Sequence, residues 1–248
     1  VPDGVGGRFS VLSAVGLFSA AICGIDVDAM LAGAADMDKR VNEPELMKNP
    51  AAMIAAIHYL LSQRGKNISV MMPYSSALYS LADWYRQLWA ESIGKRYALN
   101  GKEVFAGQTP VKALGTTDQH SQVQLYREGP NDKVITFLEV ERFGTKLTIP
   151  DTMKQVEATR YLGNSSFQDL INAEKLGTEY ALLESRRPTS TVLFPRISAQ
   201  TVGQFIYLYE VATSYMGGLL GINTYDQPAV QLGKDATYAL MGKDGFAD

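Results

Sequence analysis

Residues 67–92, NISVMMPYSSALYSLADWYRQLWAES, decide the fold class of this chain. The first part, residues 67–74, is a nearly continuous apolar run that Pro73 interrupts, which is typical of a buried strand. The second part, residues 75–92, repeats apolar side chains at helical spacing and includes the two tryptophans of the chain, which predicts a helix with one apolar face. A buried strand that leads directly into a helix is the repeating unit of α/β proteins.

The same alternation continues towards the carboxyl end. Strands are predicted at 109–115, 132–141 and 190–198, and helices at 118–129 and 199–222. We interpret residues 141–170 as an ordered connection into another helix, and we predict a last helix over 227–245 with Asp226 as its cap. Strands that alternate with helices predict a three-layer α/β/α sandwich around a mainly parallel sheet.

Three helices are predicted before the first strand. Residues 9–25 are small or apolar on all sides, which predicts a buried helix packed on several faces. Residues 27–42 and 49–65 are amphipathic, and the second of these helices has Asn49 as its cap and Gly65 at its end. We therefore expect an α/β sandwich preceded by helices.

Composition limits the classes of function. The 248 residues include 23 basic and 26 acidic side chains without long runs of either sign, which argues against binding to nucleic acid or to an anionic membrane. Cys23 is the only cysteine, which excludes an internal disulfide and fits a reducing cytoplasm. The apolar run around Cys23 is too short, and too often interrupted, for a membrane span or a signal peptide. We expect a globular cytoplasmic protein.

Arg8 follows a pair of glycines, Gly6 and Gly7. Bare backbone at this position could approach a ligand, while the guanidinium offers donors to an oxyanion or to hydroxyl groups. The alternative is a surface turn whose arginine pairs with a nearby carboxylate, and spacing alone favours this alternative.

The two histidines differ in their setting. His58 lies within an amphipathic helix, which indicates a structural or partly exposed side chain. His120 stands where a strand gives way to a helix, which is where open α/β sheets bind ligands. Imidazole titrates near neutrality, so His120 is the better acid or base candidate. A histidine that merely bonds to a carboxylate at the helix start fits the sequence equally well.

Two further pairs have suggestive spacing. Gln87 and Glu91 are four residues apart and share one helix face beside aromatic residues, where a carboxylate could act as a general base. Gln227 and Lys234 lie about two helical turns apart, so both could line one cleft. The alternatives are an ordinary solvated glutamate and an ordinary solvated lysine. No set of residues has metal-ligand spacing, so no metal site is predicted.

Four segments in order resemble the glucose-6-phosphate isomerase family, in its shorter bacterial type. They are DGVGGRFSVLSAVG at 3–16, AESIGK at 90–95, GTTDQHSQVQLYREGP at 115–130 and GGLLGINTYDQPAVQLGK at 217–234. The first and last are similar to the two sequence signatures of the family. The middle two are similar to its catalytic glutamate and catalytic histidine segments, so the resemblance covers the whole chain.

The resemblance implies reversible conversion of glucose 6-phosphate to fructose 6-phosphate through a cis-enediolate, without a metal or an organic cofactor. Glu91 would be the base that moves the proton between C2 and C1, and Arg8 would stabilise the enediolate. His120 and Lys234 would assist opening of the sugar ring. The substrate contacts would be Gln87, Gln227 and Gly7. In this family the histidine serves the neighbouring subunit, which implies a homodimer.

The chain departs from the family in two ways. Ala229, Val230 and Gln231 stand where the second signature more often has Gly-Val-Glu. In addition, the resemblance implies a sugar-isomerase domain before the arginine loop that holds the substrate phosphate, and we expect these 248 residues to contain none of it. We therefore interpret residues 1–50 as the arginine loop and linking helices, and residues 51–248 as the C-terminal sugar-isomerase domain.

This interpretation has consequences for activity. The linking helices should expose apolar surface, and the chain alone should have little or no activity because the phosphate contacts are missing. The alternative function is a non-catalytic sugar-phosphate-binding module. The joint presence of Arg8, Glu91, His120 and Lys234 favours the enzyme, since a sensor has no need to assemble them.

Overall fold

The computed structural model describes residues 4–246. Its central sheet has four parallel strands in the order β4-β1-β5-β6, and a separate hairpin pairs β2 with β3 in antiparallel fashion. The strands are β1 Ile68–Pro73, β2 Lys95–Tyr97, β3 Glu103–Ala106, β4 Thr109–Lys112, β5 Lys133–Val140 and β6 Thr189–Phe194. The helices are α1 Ala14–Ile22, α2 Val27–Val41, α3 Pro50–Ser62, α4 Tyr79–Ile93, α5 Thr117–Glu128, α6 Phe167–Glu184, α7 Ala199–Leu220 and α8 Ala229–Leu240.

Helices cover both faces of the sheet, which confirms the predicted three-layer sandwich. Successive residues of β1 point to opposite faces, so Met71 packs against α3, α4 and α7, whereas Val70 and Met72 pack against α5 and α6. Helix α2 lies behind this first layer and packs along α7. Both faces of the strands are therefore buried, and this accounts for the continuous apolar runs in the sequence.

The helix boundaries largely follow the local sequence signals. Asn49 caps α3 as predicted, because its side chain accepts the Ala52 N–H at 2.9 Å and Pro50 occupies the first turn. Helix α3 then ends at Ser62, just before Gly65, which has a positive φ of 78°. The predicted connection after β5 leads into α6, as expected.

Two predictions about the ends of the chain are wrong in detail. Helix α1 was expected to be buried on several sides, yet each of its residues is exposed or half-buried, and Phe18 is 68% exposed. The exposure agrees with the separate expectation that the early helices present apolar surface. Asp226 does not cap α8, because that helix begins after Pro228 without a side-chain cap and Asp226 accepts a hydrogen bond from Asn223 instead.

The hairpin of β2 and β3 was not predicted. Its strands are short, and β3 is largely exposed, so neither carries the apolar run that marks the central strands. Among the residues that the structure describes, no helix is long and apolar enough to cross a membrane.

Candidate active site

Arg8 lies at the centre of a polar cluster that joins the two ends of the chain. It occupies a short 3-10 turn at Gly7–Phe9, and its side chain is fully buried. All five guanidinium N–H groups have acceptors. Nε donates to Ser92 Oγ at 2.8 Å, and Nη1 donates to Glu91 Oε2 at 3.4 Å and to Gln227 Oε1. Nη2 donates to the backbone carbonyls of Thr224 at 2.9 Å and Asp226 at 3.0 Å. Arg8 is therefore not a surface arginine, although it does pair with a carboxylate, as the alternative interpretation expected.

Two elements bring the partners of Arg8 together. The last turn of helix α4 places Glu91 and Ser92 next to the guanidinium, because buried residues such as Trp89 fix the apolar face of this helix against the sheet. Helix α7 ends at Leu220, and the left-handed conformation of Gly221 (φ 65°) turns the chain back towards the cluster. Residues 224–227 then run past Arg8 and supply its remaining acceptors.

Glu91 is the half-buried carboxylate beside Arg8. Its side chain is 34% exposed, whereas that of Arg8 is 0% exposed. Gln87, one turn earlier on α4, donates from Nε2 to Glu91 Oε1 at 3.1 Å, so the predicted pair does share one helix face. The Trp84 indole donates to the Arg8 carbonyl at 3.3 Å and supplies the expected aromatic surface. The Glu91 carboxylate thus accepts hydrogen bonds from Arg8 and from Gln87, and it still reaches solvent.

Burial and charge act against each other at this cluster. Desolvation lowers the pKa of the Arg8 guanidinium, and the carboxylates of Glu91 and Asp226 oppose that shift. Lys95 is also buried, and desolvation lowers the pKa of its ammonium group while Asp226 opposes the shift. Two cations are therefore held within one partly dry region, which makes the region favourable for negative charge.

Lys95 is a residue that the sequence reasoning did not single out. Its Nζ donates to the carbonyls of Glu91 at 2.6 Å and Ser92 at 3.0 Å, at the end of α4. It lies 3.8 Å from Asp226 Oδ1. Lysine at a helix carboxyl end satisfies carbonyls that lack intrahelical partners. The sequence does carry a signal for this capping role, since Lys95 directly follows Gly94 at the end of the predicted helix.

Lys234 and Gln227 line one open cleft, although α8 begins only at Ala229 and Gln227 therefore precedes the helix. The cleft has a volume of about 480 Å³ and lies between residues 4–6 and residues 225–234. Lys234 itself is exposed on α8. Gly7 is exposed nearby, and a Cβ at that position would meet no atom within 4 Å, so a ligand has room to approach its backbone.

His120 is not brought into this cluster. It is exposed in the first turn of α5. Within residues 4–246, no hydrogen bond or ion pair joins its imidazole to Arg8, Glu91 or Lys234. The structure therefore gathers Arg8, Gln87, Glu91 and Gln227 directly, places Lys234 and Gly7 at the adjoining cleft, and leaves His120 on another helix.

His58 has a packing role. It is buried in α3, its Nδ1 lies 3.1 Å from Gln108 Oε1, and its ring packs edge-on against Trp89 at 5.2 Å between centroids. Burial lowers the pKa of the imidazole to about 4, so it is neutral at physiological pH. The structural interpretation of His58 is the one that the geometry supports.

The fold and the cluster define a three-layer α/β protein with a candidate acid–base site. The chain belongs to the phosphoglucose isomerase family, since a family profile described as phosphoglucose isomerase matches residues 1–243. This finding confirms the resemblance drawn from the four sequence segments. The acidic residue of the first segment, Asp3, lies outside the described residues.

Individual comparisons agree with the family assignment. The chain is 54% identical over 248 residues to the glucose-6-phosphate isomerase of Carboxydothermus hydrogenoformans, covering 100% of this chain and 53% of that protein. A crystal structure of a hypothetical protein from Thermus thermophilus is 36% identical, with a TM-score of 0.91 over 98% of this chain and 57% of that chain. A crystal structure of a glucose-6-phosphate isomerase from Chlamydia trachomatis, 24% identical, shares the fold with a TM-score of 0.83 over 98% of this chain and 48% of that chain. The chain spans about half the length of the curated relatives it matches.

Proposed function

We propose that this chain carries the acid–base centre of an enzyme that interconverts glucose 6-phosphate and fructose 6-phosphate. The observation that best supports this function is the partly exposed carboxylate of Glu91, held 3.4 Å from the buried guanidinium of Arg8. A base must be able to reach the proton of a substrate, and a fixed positive charge must lie where negative charge develops. This pair of side chains meets both requirements.

The reaction requires movement of one proton between carbon atoms. In the open-chain aldose, Glu91 removes the proton from C2, and the electron pair moves through the C1–C2 bond to O1. The resulting cis-enediolate is converted to the ketose when Glu91 returns the proton to C1 and the proton of the O2 hydroxyl passes to O1. The composition of the sugar is unchanged, so no oxidant or reductant is needed.

Arg8 acts through its charge. Its five N–H groups are all engaged within the chain, so its first contribution to the enediolate is a fixed positive potential that needs no reorganisation. Gln227 is the exposed partner among its acceptors, and a substrate oxygen can take the place of the Gln227 amide on Nη1. Electrostatic groups of this kind contribute about 3–4 kcal/mol to a transition state.

Ring opening precedes the proton transfer, and we assign it to His120 and Lys234. Lys234 already lines the cleft beside Gln227. His120 is exposed on a separate helix, where its imidazole can serve the site of a second subunit, so a homodimer is part of the proposal. Gln87 and Gly7 complete the set as substrate contacts, because both are exposed beside Glu91 and Arg8 respectively.

The phosphate group of the substrate requires contacts that we assign to the part of the relatives that this chain does not span. The division at residues 1–50 and 51–248 belongs to the same proposal, with the boundary at the start of α3. Without phosphate contacts, the binding energy that orients the sugar is missing, so the 248-residue chain alone should have little activity. We place the enzyme in the cytoplasm, because its single cysteine fits a reducing compartment.

A complementation assay tests this function. The chain is assayed for isomerase activity alone, and then mixed with or fused to the N-terminal portion of the Carboxydothermus relative. Activity that arises only in the assembled protein, and that disappears with Glu91→Gln, is the expected result. Substrate binding without turnover in a folded assembly would overturn the proposal and favour a sugar-phosphate-binding module. Full activity of the chain alone would overturn the assignment of the phosphate contacts.

A further inference from the structure

His120 combines an exposed side chain with a fixed backbone. Among the described residues, its imidazole has no hydrogen-bond partner, whereas Gln119 before it and Ser121 after it both have one. A ring that acts across a subunit boundary must point in a defined direction, since its partner is on another molecule. The neighbours of His120 therefore matter more than its own contacts.

A chain of hydrogen bonds holds Gln119 between two other elements. Tyr74, just after β1, donates from Oη to Gln119 Oε1 at 2.7 Å. Gln119 Nε2 donates to Glu174 Oε2 on α6 at 2.6 Å. Tyr74 is completely buried, and burial raises the pKa of its phenol to about 12, so it remains a neutral donor throughout the working pH range.

The turn before α5 is held by the same tyrosine and by Asp118. The Tyr74 ring lies against Gly115 so closely that a Cβ at residue 115 would be 2.5 Å from it. Asp118 Oδ2 accepts the Leu114 N–H at 2.7 Å, and Asp118 Oδ1 accepts the hydroxyl of Ser121 at 2.8 Å. The first turn of α5 is thus fixed to β1 and α6 on the residues that flank His120.

We propose that Gln119, held between Tyr74 and Glu174, is a positioning residue for His120. The amide fixes the first turn of α5 so that the imidazole projects in one direction towards its substrate. This inference rests on the proposed function of His120 in ring opening. The hydrogen bonds themselves lie in a layer separate from Arg8 and Glu91, so they can be changed without touching that cluster.

The matched variants are Tyr74→Phe and Tyr126→Phe. Tyr74→Phe keeps the ring that packs on Gly115 and Phe137 and removes the hydroxyl that donates to Gln119. Tyr126→Phe removes a bond of the same kind on the same helix, from Tyr126 Oη to Gln122 Oε1 at 2.5 Å, away from His120. If Tyr74→Phe does not fold, Gln119→Met, which has a similar volume, removes both bonds of the amide.

Nuclear magnetic resonance of the ring protons gives a readout that does not depend on activity. The chain has only two histidines, so His58 serves as an internal reference for folding, and the His120 signal is assigned by its loss in His120→Gln. We expect Tyr74→Phe to shift or broaden the His120 signal and leave His58 unchanged, while Tyr126→Phe leaves both unchanged. An unchanged His120 signal in Tyr74→Phe and in Gln119→Met would overturn the positioning role.

Kinetics of the assembled enzyme complete the test. We expect Tyr74→Phe to lower kcat about tenfold with KM nearly unchanged, because a misdirected acid–base group slows the chemistry without weakening binding. If the assembled wild-type protein has no isomerase activity, the proposed function fails, and the resonance measurement still decides whether Gln119 positions His120. If the assembly is active and Tyr74→Phe matches Tyr126→Phe in kcat, the positioning role fails alone.

Discussion

The guanidinium of Arg8 lies 3.4 Å from the carboxylate of Glu91, and only the carboxylate reaches solvent. Arg8 has no exposed side-chain surface, so its charge is positioned by the protein and not by water. Glu91 keeps about a third of its surface available for a ligand. A change at either residue should therefore have a different effect: loss of Arg8 should affect folding and chemistry together, whereas loss of Glu91 should affect chemistry alone.

Glu91→Gln is expected to abolish proton transfer in the assembled enzyme. Glutamine keeps the shape of the side chain and one acceptor oxygen, which can face Arg8 while the Gln87 amide turns to accept from the new NH2 group, but it cannot remove a proton. General-base catalysis contributes roughly 10²–10⁴-fold, so kcat should fall by about 10³-fold or more while substrate binding changes little. The measurement is incorporation of solvent deuterium at C2 of the sugar together with steady-state kinetics.

An exposed acid elsewhere provides the control for this prediction. Glu184→Gln at the end of α6 makes the same chemical change at an exposed position away from the cluster and should leave kcat unchanged. Deuterium exchange at the normal rate in Glu91→Gln would remove Glu91 from the role of base.

Arg8→Lys is expected to destabilise the chain by about 2–4 kcal/mol. Lysine has three rotatable donors in place of a planar fork of five, so at least two of the buried acceptors around Arg8 would lose their partners. Each unsatisfied buried acceptor costs about 1–3 kcal/mol. The measurement is urea unfolding at pH 7 followed by circular dichroism.

Arg86→Lys is the matched change at the surface. Arg86 is exposed and makes one ion pair, to Asp83 at 2.7 Å, and exposed pairs of this kind contribute about 0–1 kcal/mol. Equal stability losses in Arg8→Lys and Arg86→Lys would show that the five contacts of Arg8 carry no special weight.

The central strands could be predicted from sequence because their environment leaves a local mark. Strand β1 is buried on both faces, so its residues form an apolar run that ends at Pro73, and the following α4 carries one apolar face. Helix α1 shows the limit of this approach. Its composition predicts burial, but the described part of the chain covers it only by partial packing on α2, so local sequence could not predict its exposure.

The candidate site could not be assembled from local pattern alone. Arg8 and Glu91 are 83 residues apart, and Arg8 and Gln227 are 219 residues apart, so no periodicity joins them. Spacing favoured a surface turn for Arg8, and only the family resemblance implied a role beside the substrate. The different settings of His58 and His120 could be predicted from sequence, because His58 lies in the middle of a helix and His120 follows a strand.

Gly203→Ala is expected to destabilise the chain by about 3 kcal/mol. Helices α2 and α7 approach closely at this glycine, and a Cβ at residue 203 would lie 2.0 Å from the Met30 carbonyl oxygen. Gly33 on α2 makes the reciprocal approach, at 2.0 Å from the Gln200 carbonyl oxygen. Because the obstructing atoms are backbone, the helices must separate to admit a methyl group, and overpacking of this kind costs about 1–3 kcal/mol or more.

Gly177→Ala on α6 is the control for Gly203→Ala. A Cβ at residue 177 would meet no atom within 4 Å, and alanine is the better helix former by about 1 kcal/mol, so this variant should be slightly more stable than the wild type. Thermal unfolding of the two variants should therefore shift in opposite directions. A Gly203→Ala variant as stable as the wild type would show that the two helices are not in close contact.

Glu210 should make the chain less stable as pH rises towards 8. Its carboxyl group on α7 has one buried oxygen, Oε1, without a hydrogen-bond partner among the described residues, and burial raises its pKa from 4.5 to about 8. It lies in a cavity of about 410 Å³ that Asp38 and Tyr207 also line, and none of the described residues that line this cavity is a cation that could compensate a charged carboxylate. The folded state therefore binds a proton that the unfolded state releases above pH 4.5.

The sign of the pH effect follows from that difference. The stabilising contribution of the neutral carboxyl group is fully present below pH 4.5 and is lost as pH rises through about 8, because folding then requires uptake of a proton. Glu210→Gln removes the titration, so its advantage over the wild type should grow across this range to the order of 3 kcal/mol at pH 8. The measurement is urea unfolding of both proteins at pH 5 and pH 8. A difference in unfolding free energy that stays constant between these two pH values would mean that Glu210 is already ionised in the folded chain at pH 5.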